Sequence, residues 1–145
     1  MFMGEYRHTL DEKGRLFIPA RFREELGPAF IVTRGLDNCL FLFPPTAWKL
    51  VEERLAALPV NKAASRAFTR MLFSGASECQ PDRQGRVLIP PALRAYAGLE
   101  DEREAVVVGV SQRVEVWSAT RWDAYTQQAA SDFAQLAEEM VDMPF

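Results

Sequence analysis

The chain has 145 residues, of which 48% are hydrophobic and 26% charged, and its net charge at pH 7 is −3. That length suits one domain or two small intertwined ones, and no apolar run is long enough to cross a bilayer. The acidic balance counts against nucleic acid as a partner, but residues 60–75 carry +3 while residues 121–145 carry −4. Cys39 and Cys79 are too few for a disulfide framework and predict small buried apolar side chains.

The N-terminal part predicts two short strands, Arg7–Asp11 and Arg15–Ile18, joined by a tight turn. Asp11 can accept a backbone N–H within the turn, and Gly14 supplies the positive φ that closes a hairpin with a bulge. Because proline at the first position of a helix loses no hydrogen bond, a short helix is predicted over Pro19–Leu26.

The next elements are a second hairpin and two helices. β-rich runs over Ala29–Thr33 and Cys39–Phe43 predict the hairpin. The helices are predicted over Pro45–Leu58 and Asn61–Phe73, because Pro59 breaks the helical pattern between them.

The pattern of the N-terminal part then returns 71 residues later. Asp11-Glu-Lys-Gly-Arg-Leu-Phe-Ile-Pro19 reappears as Asp82-Arg-Gln-Gly-Arg-Val-Leu-Ile-Pro90, with identical residues at five of the nine positions. Internal repetition of this kind indicates a duplicated structural unit. The second copy predicts a turn, a helix and a hairpin at these positions: Asp82 with Gly85, Pro90–Ala97, and Ala105–Val110 with Arg113–Trp117. A last helix is predicted from Ser118, a good N-cap, to about Val141.

These elements predict an α+β fold made of two similar units. One unit alone is too small to bury both faces of its strands, whereas two together could close a small barrel without exposed edges. The predicted organisation is a first repeat, a helical connector, a second repeat, and a C-terminal helix with an acidic tail: residues 5–48, 49–76, 77–120 and 121–145.

Arginine is the informative residue in both turns. Asp11, Gly14, Asp82 and Gly85 have an ordinary explanation as turn-shaping residues, but a turn does not need an arginine at its end. Arg15 and Arg86 could each project from a rigid hairpin while the aspartate orients the guanidinium. Such a fork suits phosphate oxygens or the O6 and N7 atoms of guanine, and a two-stranded β-ribbon is narrow enough to enter the major groove. The alternative is an arginine that only pairs with its aspartate.

Other cations accompany these turns. Lys13 lies directly beside the first glycine and is the better candidate for a phosphate or base contact. Arg83 lies at a different position of the second turn and could contact backbone phosphate instead. Arg7 is a further candidate. For Arg7, Arg21 and Arg23 an ordinary solvated position is as well supported by the sequence as DNA contact.

Several motifs together resemble the MraZ family of bacterial regulators of the division and cell-wall gene cluster. They are Met1-Phe-x-Gly4, Leu10-Asp-x-Lys-Gly-Arg15, Phe73-Ser-Gly-Ala-Ser-Glu-Cys79 and Asp82-x-x-Gly-Arg86. The resemblance implies two tandem SpoVT/AbrB-like units whose swapped hairpins form an intramolecular pseudo-dimeric barrel with flanking helices. It also implies ring-shaped homo-oligomers that bind short direct repeats upstream of the family's own operon. A ring bound at a promoter would exclude polymerase and repress, whereas the sequence leaves open whether the site lies where binding represses or activates.

Two classes of function remain open at this level. The first is a sequence-specific DNA-binding transcriptional regulator, cytoplasmic and associated with the nucleoid, with double-stranded DNA and further copies of itself as partners. We expect no cofactor, small-molecule ligand or membrane partner, and charged residues near the start make a signal peptide unexpected. The second is a structural ring that mediates protein–protein contacts. An enzyme is not expected, because the sequence has no phosphate loop, catalytic triad pattern or metal-ligand cluster, and His8 is its single histidine.

Overall fold

The structure is a computed structural model that describes residues 1–144. Its eight strands are β1 Glu5–Thr9, β2 Arg15–Phe17, β3 Phe30–Arg34, β4 Leu40–Phe43, β5 Ser77–Cys79, β6 Arg86–Leu88, β7 Glu104–Val110 and β8 Arg113–Ser118. Its six helices are α1 Ala20–Leu26, α2 Pro45–Ala56, α3 Ala63–Ser74, α4 Pro91–Tyr96, α5 Ala119–Ser131 and α6 Phe133–Glu139. The fold is therefore α+β, as the sequence predicts.

Strand pairing divides the strands between a sheet and a ribbon. Six strands form one antiparallel sheet in the order β1-β7-β8-β4-β3-β5, and β2 pairs with β6 in a separate two-stranded ribbon. The predicted pairing of the first two strands with each other is therefore wrong. β1, which precedes the turn, pairs with β7 of the other repeat. β2, which follows the turn, pairs with β6 of the other repeat. The turn itself forms, but the strands on its two sides do not pair with each other.

The pairing scheme is unchanged when the two repeats are exchanged. The pair β1–β7 corresponds to β5–β3, and β3–β4 corresponds to β7–β8. The pairs β2–β6 and β4–β8 each correspond to themselves. Each repeat thus supplies strands that only the other repeat can pair, which is how two small units share one core.

The two later hairpins form as predicted. β3 pairs with β4 and β7 pairs with β8, each across a short loop. In the first loop Asp37 and Asn38 both have positive φ, at 64° and 59°. Asn and Asp tolerate this conformation better than other side chains, which explains why the sequence can turn sharply there.

The core lies between the sheet and the ribbon. Leu16 and Val87 face each other across the ribbon and are 0% and 1% exposed, so the inner face of the ribbon belongs to the main hydrophobic cluster. Phe22 and Leu26 of α1 and Leu93 of α4 add buried side chains to this cluster. Because side chains alternate along a strand, the neighbours of Leu16 and Val87 must face outward.

The C-terminal helix differs from its prediction. Ser118 is the N-cap, and its hydroxyl accepts a hydrogen bond from the backbone N–H of Arg121 at 3.2 Å. The helix does not continue to Val141, because Asp132 leaves helical geometry and separates α5 from α6. The hydroxyl of Ser131 donates to the carbonyl oxygen of Gln128 at 2.8 Å, and a local bond of this kind competes with the helical ladder. Within residues 1–144, no helix combines the length and apolar composition that crossing a membrane requires.

Candidate nucleic-acid interface

The first turn is built around the carboxylate of Asp11. Its Oδ1 accepts hydrogen bonds from the backbone N–H groups of Lys13, at 3.0 Å, and Arg15, at 2.9 Å. Its Oδ2 accepts one from Nε of Arg15 at 2.7 Å. Gly14 has φ +83°, a conformation that other side chains rarely adopt. The aspartate thus fixes both the backbone of the turn and the guanidinium that follows it.

The second turn repeats this geometry. Oδ1 of Asp82 accepts from the backbone N–H groups of Gln84 and Arg86, both at 2.9 Å. Oδ2 accepts from Nε of Arg86, also at 2.9 Å, and Gly85 has φ +81°. The predicted roles of the acid and the glycine in shaping the turn therefore have the same geometric basis in both copies.

The hydrogen bonds also explain the charge state of the two aspartates. The backbone N–H of Arg15 is the main reason that the pKa of Asp11 lies below its ordinary value, and the Arg15 guanidinium and the Lys13 N–H act in the same direction. The pKa of Asp82 is lowered in the same way, first by the backbone N–H of Arg86. Both aspartates are therefore anionic at neutral pH and keep their arginines in a fixed pose.

The ribbon of β2 and β6 brings the two arginines to one surface. Arg15 and Arg86 lie on the outer face, since the residues that follow them, Leu16 and Val87, are buried below. Nη1 of Arg86 also reaches Oδ2 of Asp11 at 3.6 Å, so the two turns share one cluster of charges. The side chains of Arg15 and Arg86 are both 30% exposed. Only Nε of each is taken by its own aspartate, which leaves the outer end of the Arg15 guanidinium free of hydrogen bonds to residues 1–144.

The further cations predicted for this surface divide into two groups. Lys13 and Arg83 lie on the turns, are exposed, and form no salt bridge with any residue of the described range 1–144. Arg7 is placed differently. Its guanidinium forms ion pairs with Asp123 at 2.5 Å and with Glu104 at 3.2 Å, which raise its pKa above the ordinary range. Arg7 is therefore engaged by α5 and β7 rather than by the turn cluster.

Arg94 is a part of this region to which sequence reasoning assigned no role. It donates from Nη1 to the carbonyl oxygen of Lys13 in the first turn at 3.3 Å. The available signal was the repeat itself, because the offset of 71 residues places Arg94 at the position of Arg23 in the first copy. In the part of the chain that the structure describes, no three His, Cys, Asp or Glu side chains are grouped so that they could hold a metal ion.

Comparison with known proteins agrees with the duplicated turns. The family model described as "MraZ protein, putative antitoxin-like" matches the chain twice, over residues 1–71 and 72–143. The chain belongs to the MraZ family. A protein of Moorella thermoacetica called "Transcriptional regulator MraZ" is 58% identical over 142 residues, which cover 98% of each chain. A protein of the same description from Desulforamulus reducens is 58% identical over 143 residues and 99% of each chain. The corresponding protein of Natranaerobius thermophilus is 54% identical over 142 residues. These relatives are described as regulators of transcription, not as enzymes.

Proposed function

We propose that this chain is a sequence-specific DNA-binding regulator of transcription. The observation that carries the proposal is that Arg15 and Arg86 both lie on the outer face of one ribbon, and that an anionic aspartate holds each of them. A two-stranded ribbon fits the major groove, and a guanidinium held by its Nε can present its outer nitrogens to guanine or phosphate. Lys13 and Arg83 flank the two arginines and add charge that no ion pair among residues 1–144 offsets.

A net charge of −3 does not prevent this protein from contacting DNA. The acidic tail contributes −4 over residues 121–145, so its removal from the balance leaves the remaining chain close to neutral. Local charge then decides the encounter, because exposed charges more than about 10 Å apart are screened at ordinary salt. We leave Arg7 out of the proposed contact set, because Glu104 and Asp123 already offset its charge.

The finer parts of the proposal concern assembly and operator. We propose that the exchange of strands between repeats is the swapped-hairpin, pseudo-dimeric barrel of the SpoVT/AbrB type, and that copies assemble into a ring. A ring repeats one weak ribbon contact many times, and linked contacts gain affinity when DNA sites match their spacing. The proposed operator is a set of short direct repeats upstream of the division and cell-wall gene cluster that includes the protein's own gene. Binding there would exclude polymerase and repress the cluster. The proposed location of the protein is the cytoplasm, on the nucleoid.

The test is fluorescence-anisotropy titration of the DNA upstream of the protein's own gene, with scrambled DNA of equal length as competitor. Wild type should prefer the upstream DNA, and Arg15→Ala should weaken binding by about 5- to 150-fold, the range for loss of one good base contact. The matched control is Arg54→Ala, which removes the same charge from the exposed surface of α2. Its affinity should stay within about twofold of wild type, as expected for an exposed charge outside the interface.

Salt provides a second readout of the same contact. The slope of log K against log salt should become shallower by about 0.9 for each phosphate contact that a variant loses. Equal losses for Arg15→Ala and Arg54→Ala, or affinity that does not respond to salt, would refute an arginine-based site on the ribbon. A wild type that never prefers upstream over scrambled DNA would refute sequence-specific regulation at that site.

A structural ring that mediates protein contacts is the second candidate, and one surface favours it. On α3 four apolar residues face solvent with helical spacing, namely Ala64, Ala67, Phe68 and Met71, of which Phe68 is 45% and Met71 52% exposed. Contiguous exposed apolar surface is a feature of protein–protein contact sites. If Met71→Glu dissociates the assembly while DNA is never bound specifically, the structural function is supported over the regulatory one.

A further inference from the structure

Each arginine turn is held in place by the opposite repeat. The carbonyl oxygen of Gly14, in the first turn, accepts the backbone N–H of Ile89 at 3.0 Å. The carbonyl oxygen of Gly85, in the second turn, accepts the backbone N–H of Ile18, also at 3.0 Å. A backbone hydrogen bond from the strand end of the other repeat therefore holds the glycine of each turn.

An arginine from the opposite repeat then covers the first turn. Arg94 comes from α4 and lies directly over Gly14, so close that a Cβ built on this glycine would overlap Nη1 of Arg94. The same Nη1 donates to the carbonyl oxygen of Lys13 at 3.3 Å and to that of Ile89 at 3.0 Å. One guanidinium thus links a carbonyl of the first turn to a strand end of the second repeat.

The second turn is covered in the corresponding way by Arg23 from α1. A Cβ built on Gly85 would lie 2.7 Å from Cζ of Arg23. Nε of Arg23 donates to the carbonyl oxygen of Ile18 at 2.8 Å, and its guanidinium lies over the ring of Phe17 at 5.4 Å. Arg23 therefore contacts the second turn by packing, whereas Arg94 also bonds to the first turn.

We propose that Arg94 and Arg23 are positioning residues that act on the turn of the other repeat. Arg94 sets the position of Arg15, and Arg23 sets the position of Arg86. This inference rests on the proposed function, because it concerns the reach of the two arginines toward DNA. It also gives the glycines of the motif a second role, since each leaves the space in which an arginine from the other repeat packs.

The physical reason is that a turn of four residues has little packing of its own. Lys13 and Gln84, at the tips of the two turns, are exposed. The turns therefore depend on their internal hydrogen bonds, from the aspartate side chain and from the backbone, and on the contacts from the other repeat. Loss of the covering arginine frees one side of the turn, and a contact that depends on a guanidinium within hydrogen-bond distance is sensitive to small displacements.

Crossed double-mutant cycles test this proposal with the full-length protein and the upstream DNA probe. The cycles combine Arg94→Ala and Arg23→Ala with Arg15→Ala and Arg86→Ala. Arg94→Ala should weaken binding by about threefold or more in the wild-type and Arg86→Ala backgrounds, but have little further effect once Arg15 is absent, since coupled residues are not additive. Arg23→Ala should show the reverse pattern, coupled to Arg86 and additive with Arg15.

The controls separate positioning from direct contact and from general destabilisation. Arg21→Ala removes the same charge from an exposed position of α1 and should be additive with both arginine variants. The urea midpoint of every variant shows that it is folded at the titration temperature, and Arg94→Gln, which keeps a donor on a shorter side chain, replaces Arg94→Ala if the latter is unfolded. Arg94→Lys keeps the charge without the planar fork and should not restore wild-type affinity.

The outcomes are distinct. Losses by Arg94→Ala that add fully to those of Arg15→Ala refute the positioning role and indicate direct DNA contact instead. Equal coupling of Arg94 to both arginines, or full rescue by Arg94→Lys, also overturns the proposal. If wild type shows no preference for the upstream DNA, the proposed function itself has failed, whereas specific binding with additive cycles overturns only the crossed positioning.

Discussion

The same substitution should destabilise the protein strongly on the inner face of the ribbon and hardly at all on its outer face. Leu16 lies on β2 and is 0% exposed, against Val87 on the inner face. Leu88 lies on β6 and is 56% exposed on the outer face. Leu16→Ala and Leu88→Ala remove the same atoms from one two-stranded element, so they compare burial with exposure at nearly constant backbone context.

The expected magnitudes follow from burial. Leu→Ala at a fully buried site loses the transfer free energy of the removed carbons and leaves a cavity, together about 2.5 to 5 kcal/mol of the free energy of unfolding. In a protein of roughly 150 residues each kcal/mol lowers Tm by about 2 to 4 °C, so Leu16→Ala should lower Tm by at least about 5 °C. Leu88→Ala removes atoms that are mostly in water and should change stability by no more than about 0.5 kcal/mol.

Urea unfolding followed by tryptophan fluorescence measures both variants. The urea midpoint of Leu16→Ala should fall with an unchanged m-value, which identifies a loss of stability rather than of two-state behaviour. If Leu88→Ala destabilises the protein as much as Leu16→Ala, Leu88 is buried in the folded protein. The outward direction of the arginine face would then be wrong as well, because Arg86 and Leu88 occupy the same side of β6.

Three further predictions concern single groups. Folding lowers the pKa of Asp11, so its contribution to stability is present above the ordinary aspartate pKa of about 3.9 and is lost as pH falls through the lower folded value. The difference in urea midpoint between wild type and Asp11→Asn should therefore shrink below about pH 4; a difference that is constant with pH would contradict this. Burial raises the pKa of the thiols of Cys39 and Cys79, the latter to about 11, so a thiol reagent at pH 8 should react slowly with native protein and rapidly with both thiols in urea. Rapid reaction of the native protein would show that these side chains are accessible. Arg7→Ala should leave DNA affinity within about twofold of wild type, since its charge is already offset; a loss as large as that of Arg15→Ala would place Arg7 in the interface.

Much of the candidate site follows from local sequence. Asp11 and Gly14 could be assigned as turn-shaping residues because an aspartate bonds to backbone N–H groups two and four positions ahead, and a positive φ favours glycine. The repeat identified Asp82 and Gly85 by the same reasoning. The surroundings of Arg7 could not be predicted, because its carboxylate partners Glu104 and Asp123 are brought to it by the pairing of β1 with β7 and by the packing of α5.

The sequence by itself determined the duplication, the two turns with their aspartates and glycines, the two later hairpins and most helix positions, since each depends on residues near one another in the chain. Only the tertiary structure decided that β1 and β2 pair with the other repeat, because alternating side chains specify the face of a strand but not its partner. That choice puts Arg15 and Arg86 on one ribbon and brings Arg94 over Gly14 and Arg23 over Gly85. The exchange is favoured physically because neither repeat has enough strands to bury its own apolar face, and together they bury one core.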